Sequence, residues 1–215
     1  CEVRAENMVR PEQMLYRSVT HKVYESGDYP QSVRIAADMI NVAAVRRRQL
    51  DECFDGRLIG VGFASYTEQT AHGVAEWAAR GWPMTCGYEP ATARLMPDGD
   101  LVLEVAIQSQ GQGLETTLAQ VAAEELGVDP AQVAVRHGDS SLSPYGMGTF
   151  ASRSMVMAGG AVSRACKLLG EKIVRIGAYL LNVPVSEAEI RAARVWAGAT
   201  SVGFAEIARA ANLRP

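Results

Sequence analysis

The most informative part of this sequence, residues 108–117, reads Gln108-Ser109-Gln110-Gly111-Gln112-Gly113-Leu114-Glu115-Thr116-Thr117. It ends an alternating apolar run and opens an amphipathic helix. We call residues 108–113 the first loop. The second loop, residues 146–154, reads Gly-Met-Gly-Thr-Phe-Ala-Ser-Arg-Ser and opens another helix. Two helix N-termini, each preceded by small and amide or hydroxyl residues, meet the physical requirements for holding a large anionic cofactor.

Regular elements are predicted on both sides of these loops. Alternating runs at 91–96 and 101–108 are joined by Pro-Asp-Gly-Asp, which is a strong hairpin signal. The helix after the first loop should end at Gly127, a short strand covers 133–136, and a long helix covers 155–181. Because the hairpin makes part of the sheet antiparallel, we expect an α+β fold with a mixed, partly antiparallel sheet and helices packed on one face.

The N-terminal region is predicted from the same patterns. Helical spacing of apolar residues indicates one helix at 32–53, with Ser32 as its cap. An apolar run at 57–66 fits a strand, in which Gly60 and Gly62 would allow close approach of a neighbouring backbone.

These predictions divide the chain into a connector plus helix at 1–56 and an α+β domain at 57–215. Within the second part, residues 67–87 are expected to form an irregular excursion. Its residues Trp77 and Trp82 are predicted to anchor it against the body of the domain.

Three further details are predicted nearer the C-terminus. The Ala-Gly-Gly-Ala run at 158–161 should pack tightly against another backbone, because glycine inside a helix costs about 1 kcal/mol relative to alanine. A last strand is expected at 193–196. Ser201 is expected to start a final short helix.

The composition excludes several classes of function. The formal net charge of −3 gives no support to electrostatic binding of nucleic acid. No apolar run has membrane-spanning length, so no membrane partner is expected. The four cysteines are scattered and have no nearby histidine, which disfavours a metal site or a disulfide framework and favours a reducing, cytoplasmic setting. A chain that begins with cysteine is interpreted as a fragment.

The first loop is suited to a polar ligand. Gly111 and Gly113 can adopt backbone angles that turn amide N–H groups toward a ligand. Gln110 and Gln112 supply amides that both donate and accept, as a heterocycle requires. The alternative is a strand-to-helix turn whose glycines only satisfy geometry, and the pattern is neither a Walker loop nor a Rossmann fingerprint.

The second loop adds hydroxyl groups and a cation. Thr149, Ser152 and Ser154 provide the hydroxyls, although a serine there could equally serve as an N-cap. Arg153 could bind a phosphate through a forked pair of hydrogen bonds, or could form a salt bridge with a surface carboxylate. The two loops together favour a ligand over two unrelated turns.

Several motifs in one order carry a resemblance to a known family. They are Gln-Gly-Gln-Gly with Glu-Thr-Thr at 110–117, Glu-Glu-Leu-Gly at 124–127, Gly-Asp at 138–139, Pro-Tyr-Gly-Met-Gly-Thr at 144–149 and Ser-Arg-Ser at 152–154. The chain resembles the molybdenum-cofactor-binding large subunit of the xanthine dehydrogenase and aldehyde oxidase family. Within that family it is most similar to the aerobic carbon monoxide dehydrogenase type.

The resemblance implies a molybdenum cofactor, in the cytosine dinucleotide form usual for bacterial members. It implies that ten residues bind this cofactor: Gln110, Gly111, Gln112, Gly113, Thr149, Phe150, Ala151, Ser152, Arg153 and Ser154. The family reaction is hydroxylation of an aldehyde, heteroaromatic or similar carbon with oxygen from water. The implied partners are iron–sulphur and flavin subunits or domains, in a homodimer of such heteromers.

Departures from the family pattern leave the catalytic and metal residues unassigned. The upstream Gly-Gly-Gly-Phe-Gly loop, the C-terminal catalytic glutamate and the copper-binding cysteine loop do not occur in this sequence. Glu68, Glu115 and Asp139 are the nearby carboxylates, and none is assigned as the base. Glu115 is expected to complement a helix N-terminus, and Asp139 to make hydrogen bonds in a turn.

The leading hypothesis is a cofactor-binding fragment of a molybdenum hydroxylase that is inactive alone. The alternatives are a non-catalytic scaffold or interaction module of the same fold, and one half of a split enzyme.

Overall fold

A computed structural model describes residues 2–50, 56–68, 70, 73–79, 81, 87–143 and 145–213. Contacts divide the chain into two compact units, Cys1–Glu68 and Gln69–Pro215. The predicted domain boundary between residues 56 and 57 stays a prediction.

The first unit contains short elements. Its helices are α1 (Glu2–Asn7), α2 (Tyr29–Met39) and α3 (Val42–Gln49), and its strands are β1 (Tyr16–Arg17) and β2 (Val23–Tyr24), which pair antiparallel.

The prediction of one continuous helix at 32–53 is wrong. Asp28 caps α2 by accepting a hydrogen bond from the Gln31 N–H at 2.9 Å, so this helix begins before Ser32. Asn41 then adopts a left-handed conformation, with φ 48°, and its side chain accepts from the Ala44 N–H at 3.1 Å. Asparagine tolerates this conformation and is a strong N-cap, so the apolar stripe is divided between α2 and α3. The predicted end at 51–53 lies outside the described residues.

The predicted strand at 57–66 is also wrong. These residues form no regular element, and a Cβ placed on Gly60 or Gly62 would meet nothing within 4 Å. The backbone carbonyl of Ile59 accepts instead from the side chain of Gln49, at 2.7 Å. An alternating apolar run becomes a strand only when another strand satisfies its backbone groups.

The second unit contains the predicted hairpin within a mixed sheet. Its strands are β3 (Ala91–Leu95), β4 (Leu101–Val105) and β5 (Val133–Arg136), in the order β3-β4-β5. Strands β3 and β4 pair antiparallel, whereas β4 and β5 pair parallel. The prediction of a mixed, partly antiparallel sheet in an α+β fold is therefore confirmed.

Two helices cover one face of this sheet. They are α5 (Leu114–Leu126), which ends at the predicted Gly127, and α6 (Gly160–Leu181), which follows one π-helical turn at Met155–Gly159. Leu101, Leu103 and Val105 of β4 are fully buried in the core that these helices share. The other face of β4 carries Glu104, which accepts hydrogen bonds from Thr92 and Arg94 of β3.

The strand predicted at 193–196 is present in a second, antiparallel sheet, but it is not the last strand, because another follows it. That sheet contains β6 (Glu189–Arg191), β7 (Arg194–Ala197) and β8 (Thr200–Gly203), and α7 (Phe204–Leu213) follows it. Ser201 lies within β8, so its predicted role at a helix start is wrong. The residue pairs with Trp196 of β7 across the hairpin.

The tight glycine contacts of α6 lie further along the helix than predicted. A Cβ on Gly160 would meet nothing within 4 Å, and one on Gly159 would meet only the Met155 side chain. A Cβ on Gly177 would lie 2.6 Å from Val195 Cβ, and one on Gly170 would lie 3.2 Å from the Leu126 side chain. The glycines that permit close packing are therefore those facing β7 and α5.

Residues 74–79 of the predicted excursion form a short helix, α4 (Val74–Ala79). Its Trp77 is buried, with 3% exposure, and its ring lies 5.7 Å from that of Phe150. The predicted anchoring role of Trp77 is consistent with this contact, whereas Trp82 lies outside the described residues.

Candidate functional site

The topology brings the two loops together. Strands β4 and β5 are parallel, so their carboxyl ends lie at the same edge of the sheet. The first loop follows β4 at this edge, and the second loop reaches it through one side chain. The Thr149 hydroxyl donates to the Gln108 carbonyl at 2.6 Å and accepts from the Gln108 N–H at 2.7 Å. Sequence analysis placed Thr149 against a cofactor but did not predict this bridge.

The first loop presents polar groups to open space. Gly111 and Gly113 have φ values of 93° and 77°, which L-residues rarely adopt, and a Cβ on either would meet nothing within 4 Å. Gln110 and Gln112 are exposed, and the side-chain carbonyl of Gln112 accepts from the Gln110 N–H at 2.6 Å. Because this bond occupies the Gln110 backbone N–H and the Gln112 side-chain carbonyl, a ligand would meet the Gln112 side-chain NH₂ and the side-chain amide of Gln110.

A negative charge lies at the start of α5. The carboxylate of Glu115 accepts from the Ser109 hydroxyl at 3.0 Å and contacts His137 Nε2 at 2.8 Å. Its own backbone N–H, then His137 and Ser109, hold the pKa of Glu115 below the ordinary value of 4.5. The prediction that Glu115 complements the helix N-terminus is thus consistent with the geometry. Sequence analysis missed His137, which no motif distinguishes.

Arg153 of the second loop lies inside the protein. Its Nη1 donates to Glu89 Oε2 at 2.6 Å and to the Gly148 carbonyl at 2.7 Å, and its Nη2 donates to the Tyr88 carbonyl at 2.9 Å. The side chains of Arg153 and Glu89 are both fully buried. The sequence left two roles open for Arg153, phosphate binding and a salt bridge with a surface carboxylate. In the structure its guanidinium forms a salt bridge, and the carboxylate is buried rather than at the surface. Sequence analysis missed Glu89, since nothing in the residues around it marks an ion pair.

Glu89 also explains a glycine of the second loop. Its carboxylate accepts from the Met147 N–H at 3.3 Å. A Cβ on Gly146 would overlap both Glu89 Oε1 and the Ala106 side chain. This Oε1 is buried and has no hydrogen-bond partner among the residues that the structure describes. The loop can therefore close over the carboxylate only because residue 146 has no side chain.

The end of the second loop has an unusual backbone. Ala151 and Ser152 have φ values of 50° and 53°, in the left-handed region that costs a non-glycine residue about 1–2 kcal/mol. The next turn is π-helical rather than α-helical, and Ser154 makes no side-chain capping bond. Ser154 therefore does not cap the helix through its side chain, which was the alternative role left open by the sequence. Such strain and π-helical turns are concentrated at functional sites.

Phe150 points toward the domain interior rather than away from it. Its ring contacts Trp77, and the Arg153 guanidinium carbon lies 5.2 Å from its centroid. If Phe150 contributes to binding, its backbone does so, because the ring is already packed.

An open cleft of about 420 Å³ lies beside the two loops. Its lining residues come from the end of β4, the first loop and the segment that leads into the second: Ala106, Gln108, Gly138, Asp139, Ser140, Ser143, Tyr145 and Gly146. Asp139 accepts from the Ser141 hydroxyl at 2.6 Å and from its N–H at 2.8 Å, and these bonds lower the pKa of its carboxyl. The predicted turn role of Asp139 agrees with this geometry.

Neither a metal cluster nor a membrane span emerges from the described part of the chain. No three residues among His, Cys, Asp and Glu in that part come together in a way that could hold a metal ion. Likewise, none of its helices is long and apolar enough to cross a bilayer.

Comparison with known proteins gives consistent matches. Residues 36–214 match the model of a family described as a molybdopterin cofactor-binding domain. The chain is 33% identical over 186 residues to the carbon monoxide dehydrogenase large chain of Hydrogenophaga pseudoflava, covering 85% of this chain and 23% of that protein. It is 30% identical over 212 residues to the nicotine 6-hydroxylase large subunit of Paenarthrobacter nicotinovorans, covering 97% and 26%.

A solved structure gives the same result. Quinoline 2-oxidoreductase from Pseudomonas putida 86 superposes with a TM-score of 0.63 at 31% identity, covering 99% of this chain and 27% of that one. The chain thus spans about a quarter of the length of the relatives that it matches. The matched family model covers most of the chain, and the two relatives are named as a large chain and a large subunit. The chain belongs to the molybdopterin cofactor-binding domain of the xanthine dehydrogenase family of molybdenum hydroxylases.

Proposed function

We propose that this chain forms part of the binding site for a molybdenum cofactor in a larger hydroxylase. The binding residues are those of the two loops: Gln110, Gly111, Gln112, Gly113, Thr149, Phe150, Ala151, Ser152, Arg153 and Ser154. The observation that carries the proposal is the Thr149 bridge, which places two polar, glycine-containing loops side by side at one edge of the sheet.

The residues of the first loop fit the heterocyclic part of such a cofactor. Open space lies before Gly111 and Gly113, so a planar ligand can approach the backbone without meeting a side chain. The exposed amides of Gln110 and Gln112 offer donors and acceptors to a ring with both kinds of edge. The Glu115 carboxylate already occupies the start of α5, which disfavours an anionic group there and favours an uncharged one.

The residues of the second loop fit the anionic part. Because the Arg153 guanidinium is turned toward Glu89, the expected donors are backbone N–H groups and the hydroxyls of Ser152 and Ser154. Ala151 and Ser152 form a left-handed turn before the next helix, and successive N–H groups in a turn conformation can form an anion-binding concavity. The Arg153 N–H already donates to the Phe150 carbonyl at 3.2 Å, so in this proposal Arg153 contributes by shaping the loop with its side chain, and Phe150 contributes through its backbone N–H.

The whole protein would be a molybdenum-dependent oxidoreductase, in which the bound cofactor supplies the redox chemistry. It would hydroxylate an aldehyde, heteroaromatic or similar small substrate with oxygen from water. We propose the cytosine dinucleotide form of the cofactor, iron–sulphur and flavin partners, assembly as a homodimer of heteromers, and a cytoplasmic location. No catalytic base is assigned within this chain, which is expected to be inactive alone.

The test is cofactor retention by the full-length parent protein, expressed with molybdate in excess. Gln112→Ala and Ser152→Ala are each expected to lower the molybdenum and released nucleotide per polypeptide, by about tenfold for each ligand hydrogen bond lost. The matched control is Gln120→Ala on the exposed face of α5, which should retain both.

Unchanged cofactor content in both loop variants would instead favour the scaffold alternative, in which the loops serve only to start helices. A parent without molybdenum or pterin under the same conditions would also refute the proposal. If the adjacent reading frame encodes the upstream loop and the base, the split-enzyme form of the proposal holds.

A further inference from the structure

We propose that Ser109, Glu115 and His137 form a tether that sets the conformation of the first loop for ligand binding. They are positioning residues rather than ligands or catalytic groups. The proposal rests on the proposed function, because it concerns how the same loop is held ready.

The geometry of the tether joins three elements. His137 directly follows β5, Glu115 lies in the first turn of α5, and Ser109 lies in the first loop itself. One carboxylate oxygen of Glu115 contacts His137 Nε2 at 2.8 Å, and the other accepts from the Ser109 hydroxyl at 3.0 Å. Ser109 is thus linked through Glu115 to the end of β5, and the preceding residue, Gln108, is held by Thr149.

The electrostatics make these contacts stronger than neutral hydrogen bonds. The pKa of Glu115 lies below its ordinary value of 4.5, so its side chain is a carboxylate at neutral pH. Hydrogen bonds to an ionised acceptor are roughly twice as strong as those between neutral groups. The His137 side chain is 19% exposed, and its Nδ1 is buried without a hydrogen-bond partner in the described part of the chain. The donated proton is therefore assigned to Nε2, since a proton on Nδ1 would be a buried, unsatisfied donor.

The order of the contacts differs from that of a serine triad. The Ser109 hydroxyl donates to the carboxylate and not to the imidazole, and the lowered pKa of Glu115 makes this carboxylate a weak base. A serine nucleophile needs a base within hydrogen-bond reach, with the carboxylate on the far side of that base. Here the Glu115 carboxylate lies between the Ser109 hydroxyl and the His137 imidazole, and it links the two elements that carry them.

The consequence for binding is pre-organisation. Gln110 and Gln112 are exposed, and the Gln110 N–H donates to the neighbouring Gln112 side chain. Without the tether, ligand binding would have to order the loop as well as contact it. Ordering a flexible segment lowers affinity even when every ligand contact is retained.

The experiment uses the full-length parent protein and compares Glu115→Ala, His137→Ala, Glu115→Gln and the control Glu124→Ala. Glu124 lies on the exposed face of the same helix. Two quantities are measured: molybdenum and nucleotide content after expression with molybdate, and amide hydrogen exchange after expression without it. The second measurement needs no bound cofactor.

Both alanine variants at the tether are expected to raise exchange in peptides covering 108–113 by about tenfold, with peptides covering 150–157 unchanged. They are expected to lower cofactor content as well. Glu115→Gln should restore part of both quantities, since an amide oxygen and nitrogen can still link His137 to Ser109 through weaker, neutral hydrogen bonds. Glu124→Ala should change neither.

The proposal is overturned if exchange at 108–113 does not rise, if cofactor content stays at the wild-type level, or if Glu115→Gln behaves like Glu115→Ala. The variant Gln112→Ala distinguishes failure of the tether proposal from failure of the proposed function. If Gln112→Ala loses the cofactor while the tether variants keep it, only the tether is wrong. If Gln112→Ala and Ser152→Ala also keep it, the proposed function is wrong.

Discussion

The first and second loops lie at the same sheet edge but are held in opposite ways. The first loop is exposed, and its bonds to Thr149 and Glu115 lie where water can reach them. The second loop is fixed by a fully buried ion pair between Arg153 and Glu89. A solvated hydrogen bond contributes little to global stability, whereas a buried charge cannot lose its partner cheaply. The comparison predicts that changes to the buried pair of Arg153 and Glu89 destabilise the whole domain, whereas first-loop changes affect mainly the loop.

The largest effect is expected for Arg153→Met. Removing the guanidinium leaves the Glu89 carboxylate buried without its counter-charge, which costs about 3–5 kcal/mol of unfolding free energy. Urea denaturation of the chain measures the loss. The control Arg164→Met removes an exposed arginine near the start of α6 and should stay close to wild type. Adding Glu89→Gln to Arg153→Met should recover part of the loss, and no recovery would contradict the buried-charge explanation.

Gly146→Ala is expected to have the next largest effect. The new methyl group would overlap the Glu89 carboxylate and Ala106, and overpacking of this kind costs about 1–3 kcal/mol. The control is Gly160→Ala, where a Cβ meets nothing and the helix should gain up to about 1 kcal/mol. Equal stability of the two variants in thermal or urea unfolding would show that the space next to Gly146 can accommodate a methyl group, and would contradict this prediction.

Thr149→Val tests the bridge between the loops. It removes the hydroxyl that both donates to and accepts from Gln108, and should cost about 1 kcal/mol because water can replace the lost bonds. Hydrogen exchange of the Gln108 amide should rise, whereas Thr149→Ser should leave it protected. If Thr149→Val destabilised the chain as much as Arg153→Met, the distinction between the loops would fail.

The smallest effect is expected from pH. The folded-state pKa values of Glu115 and Asp139 are lowered from ordinary values of 4.5 and 3.8 by the hydrogen bonds that each accepts. Both groups therefore stabilise the fold fully above those values, and their contribution is lost as pH falls through the lowered folded values. Urea midpoints measured between neutral and acidic pH should fall less steeply in Asp139→Asn than in wild type. A steeper fall in the variant would reverse the predicted sign.

Local patterns were enough to predict the hairpin and α5 from the sequence. The hairpin depends on Asp98-Gly99, and the end of α5 depends on Gly127, whose φ is 65°. Both are decided by a few adjacent residues. The same reasoning failed at 57–66, where alternation was present without a partner strand, and at Asn41, where a single left-handed residue divides an apolar stripe. Periodicity records which side chains could be buried, not whether a neighbour exists to bury them.

Local sequence was enough to predict that two polar loops precede helices, and it carried the family resemblance. The contacts that those residues make depend on the tertiary structure. Glu89 and Arg153 are 64 positions apart, and Gln108 and Thr149 are 41 apart. Contacts at such separations depend on strand order and register, which no local pattern encodes. For that reason Arg153 could be recognised as a cation in the second loop, while its burial against Glu89 and the role of His137 came from the fold.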